Sequence, residues 1–543
     1  MAHQSIKPAG DSVLLLELGE AAIDPELNAR AHGIARLVRD RAIPGVRDIV
    51  STFRTVAVFF DPLATDVDAV AAALHHAADA AGPEMTGRVV DIPVVYGGDD
   101  GPDLEGVAAF ARCTPGEVVT RHAGKRYRVY MLGFLPGFPY MAHTDPAIAA
   151  PRHATPRVRV AAGSIGIAGA QTGIYPLESP GGWQIIGRTP LVMFDAGRTP
   201  PALLAPGDQV RFIPSRDDRR ATSSAVPPGH PAAVQSGRAV SVLRAGMLTT
   251  VQDAGRWGHQ SLGVPVAGPM DGTAHRMANA IVGNPPDAAT LEATIVGPEL
   301  RMEQETRVAV TGGDLRATLS GADVPLAALV RCPKNSVMRF GDRRTGARAY
   351  VAFDGGIGTE PVLGSRATDV TSGLGGIAGR AVHVGDRLPL GPLTTRTATV
   401  TAKQRDLPAG GARLRVLPGP QANFFEPSAL ESLARTRFTI SPRSNRMGYR
   451  LSGGTVASPV RGDMISDVTV TGGLQVPPSG DPILLMADRQ TTGGYPQLAV
   501  VITADLPVAG QLGPGDWVEF EVCRRSDAIA ALVAAEGRIL AVR

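Results

Sequence analysis

The hydrophobic positions of this chain change period along its length. Residues 11–18 (Asp-Ser-Val-Leu-Leu-Leu-Glu-Leu) predict a strand, and Pro25 to Asp40 predicts a helix with Leu27, Ile34, Leu37 and Val38 on one face. Ile49 to Phe60 alternates like a strand, and Val67 to Ala80 is an alanine-rich helix. That order predicts a small α+β domain over 1–88. A new strand starts at 89–96, followed by short helices over Leu104–Ala111 and Thr114–Ala123, the second capped by Thr114 with Glu117 three residues on. From Tyr127 onward short apolar runs alternate with Gly/Pro turns, which predicts a barrel or sandwich over 89–214. Residues 215–238 lose the apolar rhythm and read as a polar, proline-rich linker. Two further β-rich domains follow, 239–395 and 396–543. A helix begins after Asp271 in the first, and an alanine-rich helix over 526–536 closes the second.

Composition agrees with that picture. A chain of 543 residues is too long for one core. Aromatic residues make up only 5%, whereas 64 glycines and 45 prolines supply the turns that many short strands need. The formal charge of +3 and the lack of a Lys/Arg run exclude a nucleic-acid stripe. Cys113, Cys332 and Cys523 lie far apart, so neither a disulfide framework nor a zinc site is indicated, and the histidines lack metal-ligand spacing. No signal pattern and no long apolar span occurs, so the expected location is the cytoplasm, without a membrane.

One internal echo organises the rest. Gln171-Thr-Gly-Ile-Tyr-Pro176 returns as Gln490-Thr-Thr-Gly-Gly-Tyr-Pro496, and Leu204-Ala-Pro-Gly-Asp-Gln-Val-Arg-Phe212 as Leu512-Gly-Pro-Gly-Asp-Trp-Val-Glu-Phe520. The echo predicts related barrels with these turns at equivalent corners. The first copy alone carries Gly181-Gly-Trp-Gln-Ile-Ile-Gly-Arg188, so the two turns are expected to form complementary walls of one composite site.

Several familiar motifs are missing. There is no Walker A loop, and Gly163–Gly169 and Gly373–Gly379 do not open helices, which argues against a dinucleotide fold. Ser164 misses a nucleophile elbow by one glycine, and no lysine follows a methionine as in a biotin attachment site. The densest chemistry lies between Gly133 and Arg188. Arg152, Arg157 and Arg188 offer guanidinium forks for a carboxylate, Gln171 and Tyr175 offer neutral hydrogen bonds, and Trp183 a flat wall.

Residues 10–214, through Gly10-Asp-Ser, Phe60-Asp-Pro and the segment just described, resemble the family called allophanate hydrolase subunit 1, the 5-oxoprolinase B subunit or KipI type; Met141-Ala-His143 departs from its pattern. The second half resembles the companion family, allophanate hydrolase subunit 2, the 5-oxoprolinase C subunit or KipA type. The matching text is Gly246-Met-Leu-Thr-Thr-Val-Gln-Asp253-Ala-Gly-Arg256, Leu291-Glu292, Leu363-Gly-Ser-Arg-Ala-Thr-Asp369, Ser444-Asn445-Arg446 and Gln475-Val-Pro, with Ala487-Asp488-Arg-Gln490 running on to Tyr495-Pro. Both families are similar to the carboxyltransferase domain of urea carboxylase. The resemblance implies a mainly β protein of cyclophilin-like barrels, one in the first half and two in tandem in the second.

It further implies fused B and C subunits of an ATP-dependent 5-oxoprolinase that opens 5-oxoproline, a cyclic amide, to glutamate. A separate A subunit is the expected partner, and ATP is expected mainly on that partner. Two alternatives stay open: a biotin-dependent carboxyltransferase acting on urea or a similar amide, with no covalent biotin on this chain, and a regulator of a histidine kinase. A homo-oligomer is also left open. The catalytic candidates are Asp253 (as a base beside Arg256), Arg256, Arg446, Gln475, Asp488 and Gln490. The substrate-binding candidates are Arg157, Gln171, Tyr175, Trp183, Arg188, Asn445 and Tyr495.

Overall fold

The structure, a computed structural model, describes residues 4–20, 23–82, 85, 87–215, 237–393, 402–403, 405–456 and 464–541. Nearly all of the expected linker 215–238 lies outside the described residues.

The N-terminal module is an antiparallel sheet ordered Gln4–Pro8, Val13–Leu18, Thr55–Phe60, Val46–Ser51. Helices Pro25–Asp40 and Val67–Ala80 cover one face, burying Leu14, Leu16, Ile34, Val58 and Leu74 in one core. Asp24 starts the first helix by accepting from the N–H groups of Glu26 and Leu27, with Pro25 in the first turn. The segment 49–60, expected as one strand, is a hairpin: the chain turns at Thr52, whose N–H donates to the Thr55 carbonyl at 2.9 Å. Its second strand, Thr-Val-Ala-Val-Phe-Phe, is buried at every position. A strand covered on both faces carries apolar residues without strict alternation, and here the second face packs through Val13, Leu15 and Phe59 onto Val468, Val470 and Val500 of the last barrel.

Two closed seven-stranded barrels follow the same plan. The first joins Gln171–Ile174, Pro139–Ala142, Arg126–Leu132, Gln209–Pro214, Val89–Tyr96, Gln184–Arg188 and Ser164–Ala168 in that cyclic order. The second joins Ile483–Leu485, Gly448–Ser452, Phe438–Ile440, Trp517–Val522, Gly411–Pro418, Gln497–Val501 and Gly473–Gln475. In each, the repeated Pro-Gly-Asp phrase leads into the last strand. That strand closes the barrel by running parallel to the first, Gln209 opposite Val89 and Trp517 opposite Gly411. The Gln-Thr phrases are not at equivalent corners, however. Gln171–Ile174 is itself a barrel strand, whereas Gln490–Pro496 is an excursion after the corresponding strand Ile483–Leu485. The short Thr492–Gly493 pairing with Asp467–Val468 holds that excursion outside the barrel wall.

The module between the barrels is built from a six-stranded and a five-stranded sheet around one core containing Val242, Leu291, Leu300, Val310, Met338, Val351 and Phe353. Among the described residues it closes no single barrel, and helix Gly272–Val282 begins after Asp271 as expected, with the Asp271 carboxylate accepting the Ala274 N–H. No helix among the described residues is long and apolar enough to cross a membrane. Cys113, Cys332 and Cys523 are free.

Candidate functional site

Where the first barrel meets the second half, four aromatic rings make a buried corner. Phe138 stands edge-on to Tyr140, Tyr175 and Trp183, with centroids 4.8, 5.3 and 5.5 Å away. The loop before it, Gly133-Phe-Leu-Pro-Gly137, holds Phe134 in the left-handed region at φ +65°, a backbone that a bulky residue adopts only when its surroundings enforce it. Backbone bonds within the loop hold it, and one contact comes from the other half: the Phe134 N–H donates to Thr492 Oγ1 at 2.9 Å. Burial raises the Tyr140 hydroxyl above the ordinary tyrosine range, opposed by the side chains of Ser466 and Thr492 and by the nearby Arg152. Ile465 packs on the same rings.

Arg152 lies at the rim. Its guanidinium sits 5.9 Å from the centre of the Trp183 ring, and a Cβ at Gly494 would come within 4.0 Å of its Nη1. It is exposed and, among the described residues, has no carboxylate partner. An open cleft lies between the N-terminal sheet (Thr52, Arg54, Thr55) and the last barrel (Gln421, Phe424), and Ile465 in its wall also packs on the aromatic corner.

The other first-half candidates serve the barrel wall. Arg157 pairs with Asp103, whose other oxygen accepts the Ile185 N–H at 2.6 Å and lies 3.3 Å from His153 Nε2. Burial pushes the Asp103 carboxyl up, but Arg157, Ile185 and His153 together hold it below the usual range. Arg188 donates through Nε to the Ala162 carbonyl at 2.8 Å. Gln171 is buried with its Oε1 unpartnered, and Tyr175 and Trp183 belong to the aromatic corner.

The second-half candidates divide between the excursion and a buried ionic network. Gln475 Nε2 donates to the Tyr495 carbonyl at 3.3 Å, Gln490 contributes its backbone carbonyl to Thr469 Oγ1, and the Tyr495 side chain is exposed. Asn445 is a turn residue, accepting the Met447 N–H at 2.9 Å. Arg446 is buried and grips Asp488 with two bonds of 2.9 Å, while also bonding Glu292 and the Gly268 carbonyl. Glu292 in turn accepts from Tyr350 Oη at 2.6 Å and from the Met270 N–H at 2.9 Å. Burial raises the Glu292 carboxyl, yet Arg446 and Arg348 outweigh it and keep it ionised. Arg446 therefore ties the last barrel to the middle module.

Asp253 and Arg256 do not pair with each other as the sequence reading expects. Asp253 accepts from Ser365 Oγ at 2.6 Å, the Gly255 N–H at 3.0 Å and the Arg366 N–H. Arg256 donates to the carbonyls of Val362, Ser365 and Ala367. With three donors on its two oxygens, Asp253 fastens a loop. Close by, burial and the neighbouring Asp488 raise Asp369 to about 6.

Neither glycine-rich stretch opens a helix. Ser164–Ala168 is a barrel strand, and the 373–379 loop folds onto Arg256 and Thr368 without leading into a helix. Among the described residues no group of His, Cys, Asp and Glu could hold a metal ion. Tyr140, Ser466 and Thr492 are absent from the sequence candidates. Glu292 has a local signal, as a lone acid inside the fully buried strand Thr290–Thr294.

The family described as carboxyltransferase domain, subdomain C and D, matches residues 4–204, and carboxyltransferase domain, subdomain A and B, matches 262–522. The C subunit of 5-oxoprolinase from Escherichia coli is 37% identical over 294 residues, spanning 54% of this chain and 94% of that relative. The B subunit of 5-oxoprolinase from Bacillus subtilis is 40% identical over 220 residues, spanning 38% of this chain and 91% of that relative. The crystal structure of TTHA0988 superposes with a TM-score of 0.84 at 35% identity, over 94% of this chain and 99% of the other. This chain belongs to the carboxyltransferase-domain family of the 5-oxoprolinase B and C subunits, with the two subunit types fused in one polypeptide.

Proposed function

We propose that this chain supplies the B and C parts of an ATP-dependent 5-oxoprolinase and acts with a separate A subunit to open 5-oxoproline to glutamate. The observation that supports this reading is the rim arrangement: the Arg152 guanidinium, without a carboxylate partner among the described residues, lies over Trp183, beside the Gly494 backbone. The ligand that suits it is small and flat and carries one carboxylate next to an amide. Arg152 would take the carboxylate as a two-pronged partner, and Trp183 would back the ring. The hydroxyl of Tyr140, whose ring packs against Trp183, would be the donor for the amide oxygen, and donors fixed before the reaction are worth most where negative charge develops on that oxygen. Amide resonance makes unassisted ring opening slow. Activation by ATP is assigned to the partner, and this chain holds and orients the substrate.

The test is reconstitution: the purified chain, an A-type subunit, ATP and 5-oxoproline, with glutamate as the readout. Glutamate should form only when all are present, and Arg152→Ala should lower kcat/KM at least tenfold in a folded protein. A second reading has one specific support, the carboxyltransferase description of both matched families. The same rim would then receive a carboxylated carrier. Carboxylation of urea with a biotin system, and no glutamate from 5-oxoproline, would replace the first reading by the second.

A further inference from the structure

Three buried polar side chains from three modules form one line. Asp48 stands on strand Val46–Ser51 of the N-terminal sheet, Gln260 in a loop of the middle module, and Arg489 immediately before the Gln490–Pro496 excursion of the last barrel. They are 5%, 0% and 1% exposed. Asp48 Oδ2 accepts from Gln260 Nε2 at 3.2 Å and from the N–H groups of Gly258 and Gln260 at 3.0 and 3.2 Å. Gln260 Oε1 accepts from Arg489 Nη2 at 2.7 Å. The amide therefore turns its nitrogen to the carboxylate and its oxygen to the guanidinium.

Arg489 is poorly satisfied for a buried cation. Among the described residues its Nε and Nη1 have no hydrogen-bond partner, and its guanidinium carbon sits 5.7 Å from the Phe59 ring of the N-terminal sheet. Burial lowers it to about 10, with Asp48 opposing. Among the described residues no carboxylate comes within ion-pairing distance of it, so its counter-charge reaches it through Gln260. A well-packed apolar side chain would fill such a place at lower cost. What the charge adds is register: only one docking of the three modules brings acceptor, amide and guanidinium into line.

We infer that Asp48 is a positioning residue: through Gln260 it fixes Arg489, and so holds the excursion that presents Thr492 to Phe134 and Tyr140 of the first barrel. The N-terminal module then takes part in forming the site without touching substrate. The kinetic arm of the test below rests on the reading of the aromatic corner as the substrate site; the structural arm does not.

The structural arm is amide hydrogen exchange on the full chain. In Asp48→Asn, protection across 489–494 and at Phe134 should fall at least tenfold, with strands Gly411–Pro418 and Trp517–Val522 unchanged. Moving the carboxylate one residue along the line, in Asp48→Asn with Gln260→Glu, should restore most of the lost protection. Arg489→Met keeps the volume, removes the charge and should show the same local loss in a folded protein. Unchanged exchange in both single variants would overturn the inference, as would uniform loss across the barrel or failure of the double variant to recover. In the reconstituted enzyme, Asp48→Asn should raise KM for 5-oxoproline at least fivefold with kcat within twofold. A wild-type chain that makes no glutamate would refute the functional reading and leave the exchange result to decide this one.

Discussion

Thr492 Oγ1 receives the backbone N–H of Phe134 at 2.9 Å, joining residues 358 positions apart in the chain. Thr492→Val keeps the shape and removes the acceptor, so it should destabilise the contact by about 1 kcal/mol, and Thr492→Ser should cost less. A Cβ on Gly133 would overlap the Thr492 side chain. Gly133→Ala should therefore be worse than Thr492→Val, and Thr492→Ala should partly relieve it. Urea unfolding of the two singles and the double checks this, and simple additivity would contradict it.

Arg446 gives a larger effect. Removing it takes the bidentate partner from Asp488 and leaves Glu292 with Arg348 alone, both carboxylates being buried at 5% and 1% exposure. Arg446→Ala should lose about 3–5 kcal/mol of stability, read as a lower urea midpoint at pH 7. A midpoint within error of the wild type would show that the network contributes little.

Asp369 supplies a pH dependence. Its ordinary value of 3.8 is raised by burial and Asp488 to about 6. Folding then favours the protonated form, so stability falls as pH rises from about 4 to 6 and levels off above. Asp369→Asn should gain up to about 3 kcal/mol above pH 6 and nothing near pH 4. An equal gain at both pH values would refute the assignment.

The buried histidines work in the opposite direction. Burial lowers His122 to about 3 and His275 to about 4, from 6.5. Each stays neutral in the fold, so stability is lost as pH falls below 6.5. His122 bridges Tyr96 Oη at 2.8 Å and Thr172 Oγ1 at 3.0 Å. His122→Gln should remove about 2–3 kcal/mol of the loss between pH 6.5 and 4.5, seen as a flatter acid limb of the stability profile.

Arg152 separates charge from shape. Arg152→Lys keeps the charge but not the fork, and should retain part of the binding lost in Arg152→Ala. Quenching of Trp183 fluorescence by 5-oxoproline should be weakened in both, more in the alanine variant. Equal quenching in all three proteins would place the carboxylate elsewhere.

Local patterns carry the local elements. The apolar face of Pro25–Asp40, the Thr114–Glu117 cap and the strand before each closing phrase depend on neighbours in sequence and are readable there. The hairpin at Thr52 is not legible, because a strand buried on both faces blurs its own period. The pairing of Arg446 with Glu292 depends on how two modules dock, and so does the approach of Thr492 to Phe134; no spacing in the chain encodes either. The two Gln-Thr phrases look alike although one is a strand and the other an excursion; in both a glycine sits where a Cβ would meet a neighbour, Phe138 at Gly173 and Gln475 at Gly493.

The parallel closure of the two barrels has a bearing on how such a chain can be assembled. The first and last strands of each barrel lie side by side and point the same way. The backbone thus enters a barrel at one end and leaves it at the other, one strand over. A barrel of this kind is a through-threaded bead: a join made before its first strand or after its last disturbs no ladder inside it. Continuing the chain beyond the last strand of the first barrel therefore asks nothing of that barrel's interior, and the demand of the fusion falls on the surfaces where the modules touch.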